Sequence, residues 1–249
     1  MKGFASQYVR IPRALAIDGR IRELWQMGGR GAIRLLPVLA ILASGYGGEP
    51  FGVQRQQVAD LSGLSSRRLA KALDLLADAE IIEVMRSVSP AVLMLRATNP
   101  AVAPDTDPAF FFSGRWLTSG LWHRLSDTLC ALLLVLGSIA PAMVVHPDSH
   151  FSYQGGSCED ESWVADIQER YYVCEEGNYF EGDFPQVNRV CFTTLRQLAS
   201  LTGTSRCQVC RDLAVLRSIG KGLIVEQLST ESGIWLHLPP LFWDFGGLS

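Results

Sequence analysis

The chain has 249 residues, 48% of them apolar and 19% charged, with a formal net charge of −3. That composition can fill a core and excludes an intrinsically disordered chain. Six cysteines in this length, with no apolar signal segment before Arg10 and Pro12, do not make a disulfide scaffold and point to a reducing, cytoplasmic setting. The charge is unevenly spread. Residues 1–96 carry 13 basic and 8 acidic side chains, whereas residues 145–186 carry 1 and 10. The near-neutral total therefore hides a basic scaffold with one acidic segment. Of the 22 basic residues all but Lys2, Lys71 and Lys221 are Arg, the side chain that forks onto phosphate and guanine edges.

Within the first 34 residues Lys2, Arg10, Arg13, Arg20, Arg22, Arg30 and Arg34 face only Asp18 and Glu23. This segment suits a path along a phosphate backbone, or equally a solvated helix face. An apolar helix follows over 33–43. Residues 57–76 then read QVADLSGLSSRRLAKALDLL. A short helix from near Arg55 carries Val58, Ala59 and Leu61 on one side. Gly63 ends it in the left-handed conformation, and the Ser65 hydroxyl is placed to cap the next helix. In that helix Leu69, Leu73 and Leu76 form one buried stripe. Ser66, Arg67, Arg68 and Lys71 are thereby turned outward near its start. Ile81–Val84 and Val92–Leu95 follow as a hairpin whose polar tip carries Arg86.

Residues 97–108 hold three prolines and little that packs, which predicts a linker with a boundary near residue 105. Beyond it the pattern returns. Leu24-Trp25 and Leu121-Trp122 match at an offset of 97 and predict equivalent buried places for the two tryptophans. A second apolar helix runs over 129–139. The stretch 129–145 is uncharged, but Pro141 interrupts it and no basic cluster flanks it, so a buried helix is expected rather than a membrane span. Residues 197–216 read QLASLTGTSRCQVCRDLAVL, identical to 57–76 at seven of twenty positions. Gly203 and Ser205 repeat the turn and the cap, Val209, Leu213 and Leu216 the stripe, and Arg206, Gln208 and Arg211 the outward set. Strands at 223–228 and 234–238 repeat the hairpin. The offset grows by 43 between the matched blocks, which places an insertion in the second copy over the acidic span 145–186.

A helix-turn-helix followed by such a hairpin, occurring twice, resembles the winged-helix DNA-binding proteins. A chain with two of them resembles plasmid replication initiators and bacterial or phage transcription regulators. The resemblance implies an α+β fold of two tandem winged helix-turn-helix domains, 1–100 and 110–249, joined by a linker at 101–109. It implies a sequence-specific protein for double-stranded DNA, an initiator or a regulator, with Ser66, Arg67, Arg68, Lys71, Arg86, Arg206, Gln208 and Arg211 at the DNA. A docking subunit of a larger nucleoprotein complex and a protein-only interaction module are the alternatives. A homodimer, or a protein partner on the second domain or the acidic insertion, fits either class.

Enzyme chemistry is not expected. His123, His146, His150 and His237 are scattered, and no phosphate loop, HExxH or GxSxG is present. The insertion's carboxylates have no Lys among them, so a solvated acidic loop is expected rather than a metal-dependent nuclease site. Cys207 and Cys210 form a CxxC inside the second reading helix. With no second such pair to complete a zinc site, they are expected to be small helix residues, and no metal or cofactor is predicted.

Overall fold

The computed structural model describes residues 8–44, 46, 48–87, 89–98, 109–139, 143–145, 171–173, 189–218, 227–229 and 234–238. It is an α+β chain, mostly helical, with small antiparallel sheets. The first half runs β1 (Tyr8–Pro12), α1 (Ala14–Ile17), α2 (Arg20–Gln26), α3 (Arg30–Ala43), β2 (Phe51–Gln54), α4 (Arg55–Ser62), α5 (Ser66–Asp78), β3 (Ile82–Met85) and β4 (Val92–Ala97). The second half runs β5 (Ala109–Ser113), α6 (Arg115–Thr118), α7 (Leu121–Arg124) and α8 (Asp127–Ile139). After two short paired strands, β6 (Met143–Val145) and β7 (Tyr171–Val173), come β8 (Arg189–Thr193), α9 (Leu195–Thr202), α10 (Arg206–Ser218), β9 (Gln227–Ser229) and β10 (Ile234–Leu238). Among the described residues, and apart from β6 and β7, the two halves pass through the same succession of elements. Their three-stranded sheets have matching orders, β2-β4-β3 and β8-β10-β9. The linker, most of the acidic span and residues 219–226 lie outside the described residues.

Local patterning explains the elements. In β4 Leu93, Leu95 and Ala97 alternate inward with period two. In α5 Leu69, Ala72, Leu73 and Leu76 are buried, and the matching Val209, Leu213 and Leu216 are buried in α10. Each buried leucine contributes about 2 kcal/mol by leaving water. α3 and α8 are apolar nearly all round and are buried on nearly every face, as helices at the centre of a core must be. No helix among the described residues is long and apolar enough to cross a membrane.

The halves are clasped by their centres. β1 pairs antiparallel with β5, Tyr8 opposite Ser113 and Pro12 opposite Ala109. α3 packs along α8, α4 against α7, and α9 against α2, so each half holds the other reciprocally. One continuous buried apolar cluster runs from Val9 to Ile234. Gly137 of α8 lets the Phe110 ring lie where a Cβ would stand, 2.6 Å away. At the corresponding places the first half has Ala40 and Val9, a larger helix residue and a smaller strand one, both buried.

The expected equivalence of Trp25 and Trp122 does not hold. Each half turns at a glycine, Gly19 and Gly120, an offset of 101 rather than 97. Ile21 is thus the counterpart of Trp122, and both are fully buried. Trp122 packs edge-on to Phe112 and Trp116 at 5.2 and 6.5 Å. Trp25 falls in the longer end of α2, half-buried beneath the Arg30 guanidinium at 4.9 Å. The four extra residues between turn and helix displaced the register.

Candidate nucleic-acid interface

The turn between α4 and α5 is set by Gly63, whose φ of +67° suits a residue without a Cβ. The turn is also pressed against the other half. A Cβ on Gly63 would stand 2.3 Å from the His123 Cβ of α7. Gly203, with φ +73°, lies against Trp25 in the reciprocal place. Ser205 caps α10 by accepting the Gln208 N–H at 3.2 Å. Ser65 occupies the equivalent place but makes no side-chain cap, contrary to the sequence expectation. Its carbonyl accepts the Leu69 N–H at 2.8 Å, as the Ser205 carbonyl does from Val209 at 3.0 Å.

On α5, Ser66, Arg67, Arg68 and Lys71 are all exposed, as is Arg86 at the end of β3. Lys71 lies over the α2–α3 turn, its Nζ 3.9 Å from where a Cβ on Gly28 would be. Arg55, which the sequence reading did not single out, ties the hairpin to the start of α4. Its N–H donates to the Ala91 carbonyl at 2.8 Å and its Nε to Pro90 at 3.3 Å. An Arg96–Glu83 pair at 3.1 Å links the two hairpin strands.

On α10, Arg206 and Arg211 are exposed, but Gln208 is half-buried. Its Nε2 donates to Asp212 Oδ1 at 2.9 Å, and Thr128 of α8 donates to the same oxygen at 3.1 Å. Burial raises the Asp212 carboxyl above its ordinary pKa, against the lowering effect of these two hydrogen bonds. By the repeat, Thr128 and Asp212 stand where the first half has Gly31 and Ala72, which pack as small apolar groups. Helices α5 and α10 are therefore seated differently, one by close packing and one through a polar contact. Between α9 and the start of α10 an open groove of about 550 Å³ is lined by Arg196, Ala199, Ser200, Thr204 and Arg206. Arg196 was missed in the sequence because its repeat partner is Gln56.

Two arginines of the basic N-terminal segment are not surface cations. Arg34 is 5% exposed. It donates Nε and Nη2 to Asp127 Oδ1 at 3.0 and 2.9 Å, Nη1 to the Trp122 and His123 carbonyls at 3.1 Å each, and Nη2 to the Leu125 carbonyl at 2.5 Å. The Trp122 indole returns a bond to the Arg34 carbonyl at 3.0 Å. Arg13 donates to the Ser138 and Ile139 carbonyls at the end of α8. Cations there satisfy the terminal carbonyls and suit the helix dipole. The phosphate-path expectation thus fails for Arg34, and Arg13 is held at the end of α8.

Asp127 also accepts from Arg68 Nη2 at 2.8 Å through its second oxygen, which links α5 to the second half. Cys207 and Cys210 are exposed on α10, and among the described residues no three potential ligands gather for a metal. No protein family, curated protein or solved structure matches the chain.

Proposed function

We propose that the chain is a sequence-specific double-stranded DNA-binding protein, formed from two winged helix-turn-helix halves that read with α5 and α10. The observation that carries the reading is the repeated surface of those two helices. Each follows a left-handed glycine turn, buries one stripe, and turns basic side chains outward at its start, where helix-turn-helix proteins meet the major groove. Arg67, Arg68 and Lys71 serve the first half, with Arg86 on its wing. Arg206 and Arg211 serve the second, with Arg196 along the adjoining groove for the phosphate backbone. Because both helices rest on one core, a single chain covers a two-part site at fixed spacing. Replication initiation and transcription regulation in the cytoplasm both use such a protein.

Binding of a duplex enriched from a random-sequence pool, followed by fluorescence anisotropy over a salt series, tests the reading. Replacing both Arg67 and Arg68 with Ala abolishes preference for that duplex over a scrambled one, since each base-reading Arg is worth about 1–3 kcal/mol of discrimination. Lys71→Ala weakens both duplexes alike and flattens the salt dependence by about one unit of slope. A double variant that discriminates as the parent does removes α5 as the reader.

A further inference from the structure

We propose that Asp127 is a positioning residue for DNA reading. It holds the Arg68 guanidinium in one orientation and so couples the first reading helix to the second half. The inference rests on the DNA-binding reading above. Arg34 already neutralises Asp127 through two N–H groups on Oδ1, so the Arg68 contact on Oδ2 is not needed for charge balance. The Arg68 side chain is 51% exposed, and an ion pair so exposed contributes little to stability. Its effect is orientational. A guanidinium is a rigid fork of five N–H donors. Engaging Nη2 fixes the plane of the fork and leaves its other donors to a base edge, with less side-chain entropy lost on binding. Asp127 is itself fixed. It sits at the start of α8 with its side chain only 19% exposed, and the buried Arg34 grips its other oxygen.

The repeat shows that this device belongs to one helix only. At the positions corresponding to Asp127 and Arg68 the other half has Arg30 and Gln208. Gln208 is held instead by Asp212 of its own helix. The first helix thus carries a reader oriented by the opposite half, whereas the second keeps the equivalent side chain within its own helix, which makes the two parts of the site unlike and gives the bound chain a direction.

The test compares parent, Asp127→Asn, Arg68→Ala and the double variant in the full chain. Each is titrated into a fluorescein-labelled duplex enriched by the parent and into a scrambled duplex. Asp127→Asn frees Arg68 and removes a negative charge. Affinity for the scrambled duplex holds or rises and its salt dependence steepens, while selectivity falls about fivefold or more. The double variant loses no more selectivity than Arg68→Ala alone. If Asp127→Asn does not fold, because Arg34 is left buried without its carboxylate, Arg34→Met with Asp127→Asn removes both charges and is read identically. Unchanged selectivity overturns the proposal. So does an equal loss on both duplexes, which marks a purely structural role. If the parent itself enriches no duplex, the DNA-binding reading falls and takes this one with it. If the parent selects a duplex and the variants keep its selectivity, only the role of Asp127 falls.

Discussion

Gly63→Ala probes the clasp between the halves at its tightest point. Two costs add. The backbone at φ +67° is left-handed, which costs a residue with a Cβ about 1–2 kcal/mol. The new methyl would also stand 2.3 Å from the His123 Cβ and 3.3 Å from its Cα. Both atoms are close to the backbone and cannot rotate away, so α7 must shift, an overpacking cost of about 1–3 kcal/mol. Together these take about 2–5 kcal/mol from a stability of about 5–15 kcal/mol. Gly203→Ala is the internal control. It has the same backbone strain at φ +73° but meets Trp25 only at 3.2 Å, so it should cost about 1–3 kcal/mol less. Urea unfolding followed by tryptophan fluorescence measures both. Measured against His123→Gly alone, which lacks the obstructing Cβ, Gly63→Ala should cost only the backbone term. A Gly63→Ala cost no larger than the backbone term alone, or no recovery with His123→Gly, would mean that the halves do not press on each other at this turn, and the clasped arrangement would fail.

Asp212→Asn keeps an acceptor for Thr128 and Gln208 while removing a carboxyl whose folded pKa is raised by burial. The folded chain holds that proton to higher pH than the unfolded chain, so the parent loses stability as pH rises from the ordinary carboxylate pKa to the raised one. The variant should be the more stable at pH 7 and equal to the parent in acid, as urea midpoints across pH will show; a gap independent of pH would sink this assignment. Burial pushes the Cys130 thiol up to about 12, whereas Cys207 and Cys210 are exposed. Thiol-labelling of the native protein at pH 8, mapped by mass spectrometry, should mark Cys207 and Cys210 and spare Cys130 until the chain is unfolded. Arg34→Met takes from Asp127 its buried partner, leaving it Arg68 alone, and removes the Arg34 donors from three carbonyls, and should cost about 3–5 kcal/mol in the same urea assay; a cost under 1 kcal/mol would show that the buried network is not formed.

Helices α5 and α10 were legible in the sequence because their signals are local. Leu69, Leu73 and Leu76 recur at helical spacing, Gly63 and Gly203 punctuate the turns, and the 140-residue offset showed the pattern twice. The hairpin β3–β4 was likewise visible as apolar runs around a polar tip, and β10 falls at the expected 234–238, whereas β9 begins at Gln227 and residues 223–226 of the expected strand lie outside the described residues. What joins the halves left no such trace. β1 and β5 are five-residue strands whose partners lie about a hundred residues apart, and their pairing has no local turn to announce it. β2 and β8, which complete the two sheets, are as short. Arg34 read as one more surface cation because a sequence does not show that the carbonyls of Trp122, His123 and Leu125 and the Asp127 carboxylate converge on it. Gln208 read as an outward base contact although its partner Asp212 stands four residues on along the same helix; what the sequence does not show is that Asp212 is buried and bonded to Thr128, 84 residues away.

The most direct test of the central claim is selection of duplexes from a random-sequence pool by the full chain, with the mass of the resulting complex measured by sedimentation. Two short sequence blocks at a fixed spacing should be enriched, bound by one chain per duplex. A selected pool indistinguishable from the input would contradict it. A single enriched block bound by two chains would contradict the claim that one chain carries both readers.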